Sequence, residues 1–221
     1  MALEIFWGSG SSPAWRVLLA LAIKGIPYES RLLSFAKGDL KSPEMRAIST
    51  RGKVPAMRDG SFVLCESLAI LTYLDRKHPA KPLFGATPEE AGTITRVIME
   101  HECYGEPAIA VVTRPLLFGQ LEAQRDKVNE SLPALREELG RLETQLNGHD
   151  FFVGATVSAA DIFVFPMIKT IERAASKPGA ETIDHGLRPL ASAFPKLAAW
   201  VARIEAIPGY DATYPPHWRE G

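Results

Sequence analysis

The chain predicts an α/β N-terminal domain followed by an all-α C-terminal domain. Three observations carry that expectation. Between Leu3 and Leu74, short β-patterned runs alternate with helical ones. The stretch His78-Pro79-Ala80-Lys81-Pro82-Leu83-Phe84-Gly85 is dense in Pro and Gly, the composition of a boundary. Everything beyond it carries helical apolar spacing. The expected division is 1–79 for the first domain, 80–88 for a linker and 89–221 for a helical domain with a C-terminal tail.

Leu3 to Trp7 reads as a first strand and Gly8-Ser9-Gly10-Ser11-Ser12 as a loop. Pro13 suits a first helical turn, where its missing N–H costs nothing, and Gly25 stops that helix. Pro27 to Leu33 reads as a second strand. A polar loop follows, with a short helix near Pro43–Ile48. Val54-Pro55-Ala56-Met57 reads as a third strand, Asp59-Gly60 as a hairpin signal and Phe62-Val63-Leu64 as a fourth strand. Glu66-Ser67 then opens a helix with Leu68, Ile70, Leu71 and Leu74 at helical spacing. The strand–helix–strand start predicts a right-handed parallel crossover, and the hairpin adds antiparallel strands.

In the second half, Thr87-Pro88-Glu89-Glu90 is a helix start, and that helix is expected to run to about Leu117 with a bend near Gly105–Pro107. Leu132, Leu135, Leu139, Leu142 and Leu146 form the apolar stripe of a second helix over 121–146, which contains Pro133 and ends at Asn147-Gly148. Ser158 and Asp161 have capping-box spacing, with Val157 and Ile162 as the flanking staple. The apolar run after them predicts a buried central helix. A last helix spans Phe194 to Ile207, and the tail DATYPPHWREG reads as extended.

Composition narrows the function classes. Of 221 residues 46% are hydrophobic and 23% charged, with formal net charge -1, so no electrostatic footprint for nucleic acid is present. Two cysteines, Cys65 and Cys103, exclude a disulfide framework and fit a reducing compartment. No run reaches the roughly 18 apolar residues of a membrane span. The start MALEIFWGSGSS does not read as a signal peptide, so a cytoplasmic location is expected. His78, His149, His185 and His217 lie near loops or ends with no metal-type spacing, so no metal is expected.

Two features suggest a peptide-like ligand. Val54-Pro55, at a strand start beside a hairpin, is a candidate cis bond. A cis bond would turn the Val54 N–H and C=O toward an extended peptide, as in β-augmentation. Glu66-Ser67 offers a carboxylate for an ammonium group, and a hydroxyl and helix N-terminus for a carboxylate. The plainer reading of Glu66-Ser67 is a helix cap.

Val-Pro, Asp-Gly and Glu-Ser-Leu-Ala-Ile, in this order and spacing, resemble the glutathione site of the glutathione transferase family. The resemblance covers nearly the whole chain and implies a thioredoxin-like first domain. It implies that Val54 pairs with the cysteinyl backbone of glutathione beside cis Pro55, and that Glu66 and Ser67 hold its γ-glutamyl end. Lys53 and Lys41 become candidates for the glycine carboxylate; either also reads as a solvated lysine.

Such an enzyme must form a thiolate. A free thiol has a pKa near 8.5, and lowering it by about two units takes roughly 2.7 kcal/mol. A helix N-terminus plus one hydroxyl hydrogen bond suffices. Ser11-Ser12-Pro13-Ala14-Trp15-Arg16-Val17 resembles the serine motif of the zeta and theta classes, with a zeta/theta-like bacterial member as the nearest pattern. It assigns the thiolate to Ser11, with Ser12 second; helix capping is the plainer role of either. Pro13 stands where the zeta pattern has cysteine, which weakens a zeta-type isomerase assignment. Trp7, not tyrosine, ends the first strand, and no cysteine lies near Ser11, which disfavours tyrosine and glutaredoxin-like mechanisms. His101 and Tyr104 are candidates for the electrophile pocket. Cys65, Trp15 and Trp200 read as core.

The expected function is addition of glutathione, as co-substrate, to a small hydrophobic electrophile, with no tightly bound cofactor, no nucleic acid, no membrane and a homodimer implied by the resemblance. The alternatives are a glutathione-dependent isomerase or dehalogenase on the same scaffold, and a non-catalytic glutathione-binding module.

Overall fold

Residues 2–183 and 186–219 are described by the computed structural model; His185 lies outside them. Two units divide the chain: 1–84 together with 206–221, and 85–205.

In the first unit, strand β1 (Leu3–Gly8) is followed by helix α1 (Ser12–Lys24), strand β2 (Glu29–Leu33), helix α2 (Pro43–Ile48), strands β3 (Ala56–Asp59) and β4 (Phe62–Cys65), and helix α3 (Ser67–Lys77). The sheet order is β2-β1-β3-β4. β1 and β2 run parallel, as the crossover predicts, and the other pairs are antiparallel. Gly25 ends α1 in the left-handed conformation at φ 67°, with its N–H on the Ala22 carbonyl. Across the sheet, Glu4 accepts from Arg31 (Nε 3.0 Å, Nη2 2.9 Å) and from Arg58 (Nη2 3.0 Å). Hydrogen bonds from Arg58 and Arg31 hold the Glu4 carboxyl down to about 2.

Two expectations need correction here. Val54 and Pro55 stand before β3 rather than in it. The hairpin register pairs Asp59 with Phe62, so its two loop residues are Gly60-Ser61, one step later than Asp59-Gly60; Gly60 takes φ 64°. The Pro-rich boundary segment is tied to α1 by lysines. Lys24 Nζ donates to Asp75 Oδ1 (2.7 Å) and to the carbonyls of Ala80 (3.0 Å) and Lys81 (2.9 Å). Lys81 Nζ returns to the Ile23 carbonyl at 2.9 Å.

The tail departs furthest from its expected extended form. It contains a helical turn (Tyr210–Thr213) and a 3-10 turn (Pro216–Trp218), and it belongs with the first unit instead of the helical one. Trp15 Nε1 donates to Thr213 Oγ1 at 2.9 Å, and its ring meets Tyr214 and Trp218 edge-on at 5.6 and 5.5 Å.

The second unit holds helices α4 (Pro88–Glu100), α5 (Glu106–Leu117), α6 (Leu121–Gln145), α7 (Ala159–Ala175), α8 (Leu190–Ala193) and α9 (Pro195–Glu205). The expected bend is a π-helical turn, His101–Gly105, that starts one turn before Pro107. Gly105 is required there, because a Cβ would lie 2.9 Å from His101 Nδ1. α7 is the buried central helix, opened by the capping box. The Asp161 carboxylate accepts from Phe152 N–H (3.0 Å), Ser158 N–H (2.8 Å), Ser158 Oγ–H (2.9 Å) and Trp200 Nε1–H (2.9 Å). Burial pushes this carboxyl's pKa up and the four donors pull it back. The box therefore ties α7, α9 and the preceding loop together, beyond capping one helix. The Arg188–Pro189 bond is cis, which nothing in the local pattern signalled.

Candidate active site

Sheet register gathers the expected ligand residues at one end. Phe6 pairs with Ala56, which pairs with Cys65, while Gly8 pairs with Leu33. The segments adjoining the strand ends Gly8, Leu33, Ala56 and Cys65 carry Ser9–Ser12, Val54-Pro55, Glu66-Ser67 and Lys41. Every residue expected in the glutathione set, Lys53 included, lies in the loops, the short turn or the first helical residue adjoining these strand ends. Glu4 with Arg31 and Arg58 begins from the opposite end of β1.

Ser11 is the N-cap of α1 at φ −77° and ψ 109°, and its Oγ accepts from Ala14 N–H at 3.3 Å. The plainer reading is thus true of Ser11. A hydroxyl that accepts from the backbone keeps its own proton for a neighbouring acceptor. Ser11 N–H is used by the Gly8 carbonyl at 3.1 Å, and Pro13 has none. No acid stands in the first turn of α1 to oppose an anion there. Ser12 is the first residue of the helix.

The Val54–Pro55 bond is cis. Val54 precedes the β3 ladder, so its backbone groups are not claimed by the sheet register. Glu66 sits at φ 70° and ψ 122°, a conformation that costs a non-glycine residue about 1–3 kcal/mol. It caps α3 without a side-chain hydrogen bond, and its carboxylate is exposed. Ser67, next in line, is buried. The strain at Glu66 has no counterpart in the residue pattern, since Glu carries no bias toward positive φ.

Lys41 and Lys53 are exposed and have no ion-pair partner among the described residues. Gly52, at φ 59°, brings their two segments together: a Cβ would lie 2.9 Å from the Leu40 carbonyl. The sequence reading missed this spacer; the run Arg51-Gly52-Lys53 was its signal. Cys65 behaves as core. Its Sγ–H donates to the Ile48 carbonyl at 3.4 Å and it packs against Phe6, Met45, Ile48 and Ala56.

His101 and Tyr104 line a cavity of about 460 Å³ within the second unit, beside Arg96, Glu100, Glu138 and Arg141. His101 is 3% exposed and Tyr104 65%, so the first lies in the cavity wall and the second stands open to solvent. The charged walls suit a polar occupant better than a hydrophobic electrophile.

Two family models match: glutathione S-transferase, N-terminal domain, over residues 8–82, and glutathione S-transferase, C-terminal domain, over residues 94–208. The chain belongs to the glutathione S-transferase family. Glutathione S-transferase A of Pleuronectes platessa is 30% identical over 99% of this chain and 93% of its own. Human glutathione S-transferase theta-2 is 29% identical over 98% and 86%. Among solved structures, a glutathione S-transferase from the Antarctic clam Laternula elliptica superposes with TM-score 0.86 at 28% identity, covering 100% of this chain and 95% of that one. Poplar glutathione transferase F1 superposes with TM-score 0.79 at 24% identity, over 96% of both chains, which speaks for the fold. The thioredoxin-like first unit and helical second unit are thus those of a glutathione transferase, and the chain is a transferase.

Proposed function

We propose that this transferase activates the glutathione thiol through the Ser11 hydroxyl and adds the thiolate to a small hydrophobic electrophile. The tripeptide lies across the sheet end. Val54 pairs with its cysteinyl backbone beside Pro55. Glu66 meets the γ-glutamyl ammonium and Ser67, at the α3 N-terminus, the γ-glutamyl carboxylate. Lys41 and Lys53 meet the glycine carboxylate. The observation that carries the reading is the convergence, at one end of the sheet, of a capping serine, a backbone outside the ladder and a strained glutamate whose side chain makes no cap hydrogen bond.

The chemistry follows from charge. The Ser11 proton donates to sulfur and favours the anion, while the N-terminus of α1 adds its positive end. Together they supply the roughly 2.7 kcal/mol that two pKa units require. Ser12 is the second candidate for the same role. The enzyme works as a homodimer in the cytoplasm, with glutathione as co-substrate and no tightly bound cofactor. Phe62 and Val63, exposed on the edge strand β4, support self-association.

Ser11→Ala, with Ser12→Ala in parallel, tests the assignment. Expected is a loss of kcat of at least about tenfold for Ser11→Ala, short of the roughly 100-fold of the whole thiolate shift because the α1 N-terminus keeps its share, and near-normal turnover for Ser12→Ala. Conjugation of a generic aryl halide reads the rate, and ultraviolet absorbance of the thiolate reads the bound thiol's pKa. Unchanged rates in both variants remove the serine mechanism.

A further inference from the structure

The segment that presents Ser11 runs from Gly8, the last residue of β1, through Ser9 and Gly10, so two of its four residues are glycine. Its internal bonds are few: Ser11 N–H to the Gly8 carbonyl, and the Ser11 cap itself. Three rings from elsewhere in the first unit occupy the places where side chains would stand. A Cβ on Gly8 would lie 2.4 Å from Phe35 Cζ. A Cβ on Gly10, which takes φ 81°, would lie 2.8 Å from His217 Cε1 and 3.3 Å from Trp218 Nε1. Between the two glycines, the Ser9 hydroxyl and His217 Nδ1 share a hydrogen bond of 2.6 Å. Ser9, Phe35 and His217 line one cleft of about 560 Å³.

His217 is held for this contact by the tail. Thr213 accepts from Trp15, on α1 itself, and Tyr214 and Trp218 pack against the same indole. Arg219 closes the turn through the Asp211 carbonyl at 2.7 Å and lies over the Tyr214 ring at 4.9 Å. The imidazole is therefore tied to α1 from behind while it grips the loop in front. A glycine-rich loop has many conformations of similar energy, and only some aim the Ser11 hydroxyl at a ligand.

We propose that His217 is a positioning residue for thiol activation: by bonding Ser9 and seating its ring on Gly10, it holds the loop in the one conformation that points Ser11 at the sulfur. The proposal rests on the reading of Ser11 as thiolate donor. It predicts that a side chain far from Ser11 in sequence sets the bound thiol's acidity without touching the sulfur.

The test measures kcat, KM for glutathione and the bound thiol's pKa by thiolate absorbance. The proteins are His217→Ala, Ser9→Ala, the double variant, His217→Asn and Ser11→Ala. His217 is exposed, so its variants fold, which circular dichroism verifies. Loss of one hydrogen bond corresponds to about fivefold in kcat, with a raised thiol pKa and little change in KM. The double variant should fall no further than either single one. His217→Asn, which offers a polar atom near the place of Nδ1 and carries no charge, should restore most of the loss; recovery separates positioning from an effect of imidazole charge. Unchanged turnover and thiol pKa in His217→Ala, additive losses in the double variant, or no recovery with Asn each overturn the proposal. Ser11→Ala separates the two claims. If it shifts the thiol pKa and His217→Ala does not, only the positioning role falls. If Ser11→Ala leaves the pKa unshifted, the serine mechanism falls and the positioning role with it.

Discussion

Glu66 holds a backbone conformation that its own side chain disfavours, in a protein with glycine at many other positive-φ positions. Strain retained at a residue proposed to face the ligand points to a use for the side chain. Replacing Glu66 by Gly removes both the strain and the carboxylate. The expected outcome is a melting temperature at or above that of the parent, together with at least about a tenfold rise in KM for glutathione, the effect of losing one charge-assisted hydrogen bond. Thermal melts and glutathione kinetics on the same protein check it. A residue pattern could mark Glu66 as a ligand candidate through its neighbours Ser67 and Pro55. It could not show the strain, because φ at that position is set by how β4 hands over to α3. The same limit hid His217: its partner Ser9 is 208 positions away, beyond any local pattern.

Strands and helices were legible where one period dominates. α2 matches its expected span at both ends because Ser42 and Pro43 open it and Ser49 follows its last turn. The hairpin shifted by one residue because Gly60 satisfies the positive φ from either loop position. The π-helical turn in the α4–α5 run was read as a proline bend, since Pro107 is visible in the sequence and the packing of His101 against Gly105 is not. Within the sheet, the Glu4 cluster gives a pH dependence whose sign is fixed. Its folded-state pKa, about 2, lies below that of a free glutamate. Its contribution is therefore present above the unfolded value of about 4.3 and is lost as pH falls from there toward 2. Glu4→Gln should be less stable than the parent at pH 7, and the gap should close by pH 2. Urea melts across that range measure it; a constant gap would place the effect in packing rather than charge.

On the scale of the whole molecule, both fold classes were readable, because the change from alternating strands and helices to helices alone coincides with a Pro-rich segment. The placement of the tail was not. Its prolines signal only that a regular helix stops, and the docking that follows depends on Trp15, Tyr214 and Trp218 meeting across the fold. The outer face of β4 has a consequence for assembly. Phe62 and Val63 remain 45% and 37% exposed on an edge strand, where an isolated protein is prone to pair with others. For the homodimer proposed above, Phe62→Lys should shift size-exclusion elution to a species of 24.2 kDa while circular dichroism stays unchanged. Elution of the parent at that mass would remove the dimer.

The return of residues 206–221 to the first unit also bears on biogenesis. On the ribosome the sheet emerges early, yet the indole of Trp15 lacks its cover until residues 210–218 have been made. The unit that is begun first is therefore completed only after the helical unit between its two parts has emerged. During that interval the nascent chain carries an uncapped aromatic patch beside the Gly8–Ser11 segment, which gains its packed geometry only once residues 210–218 have emerged.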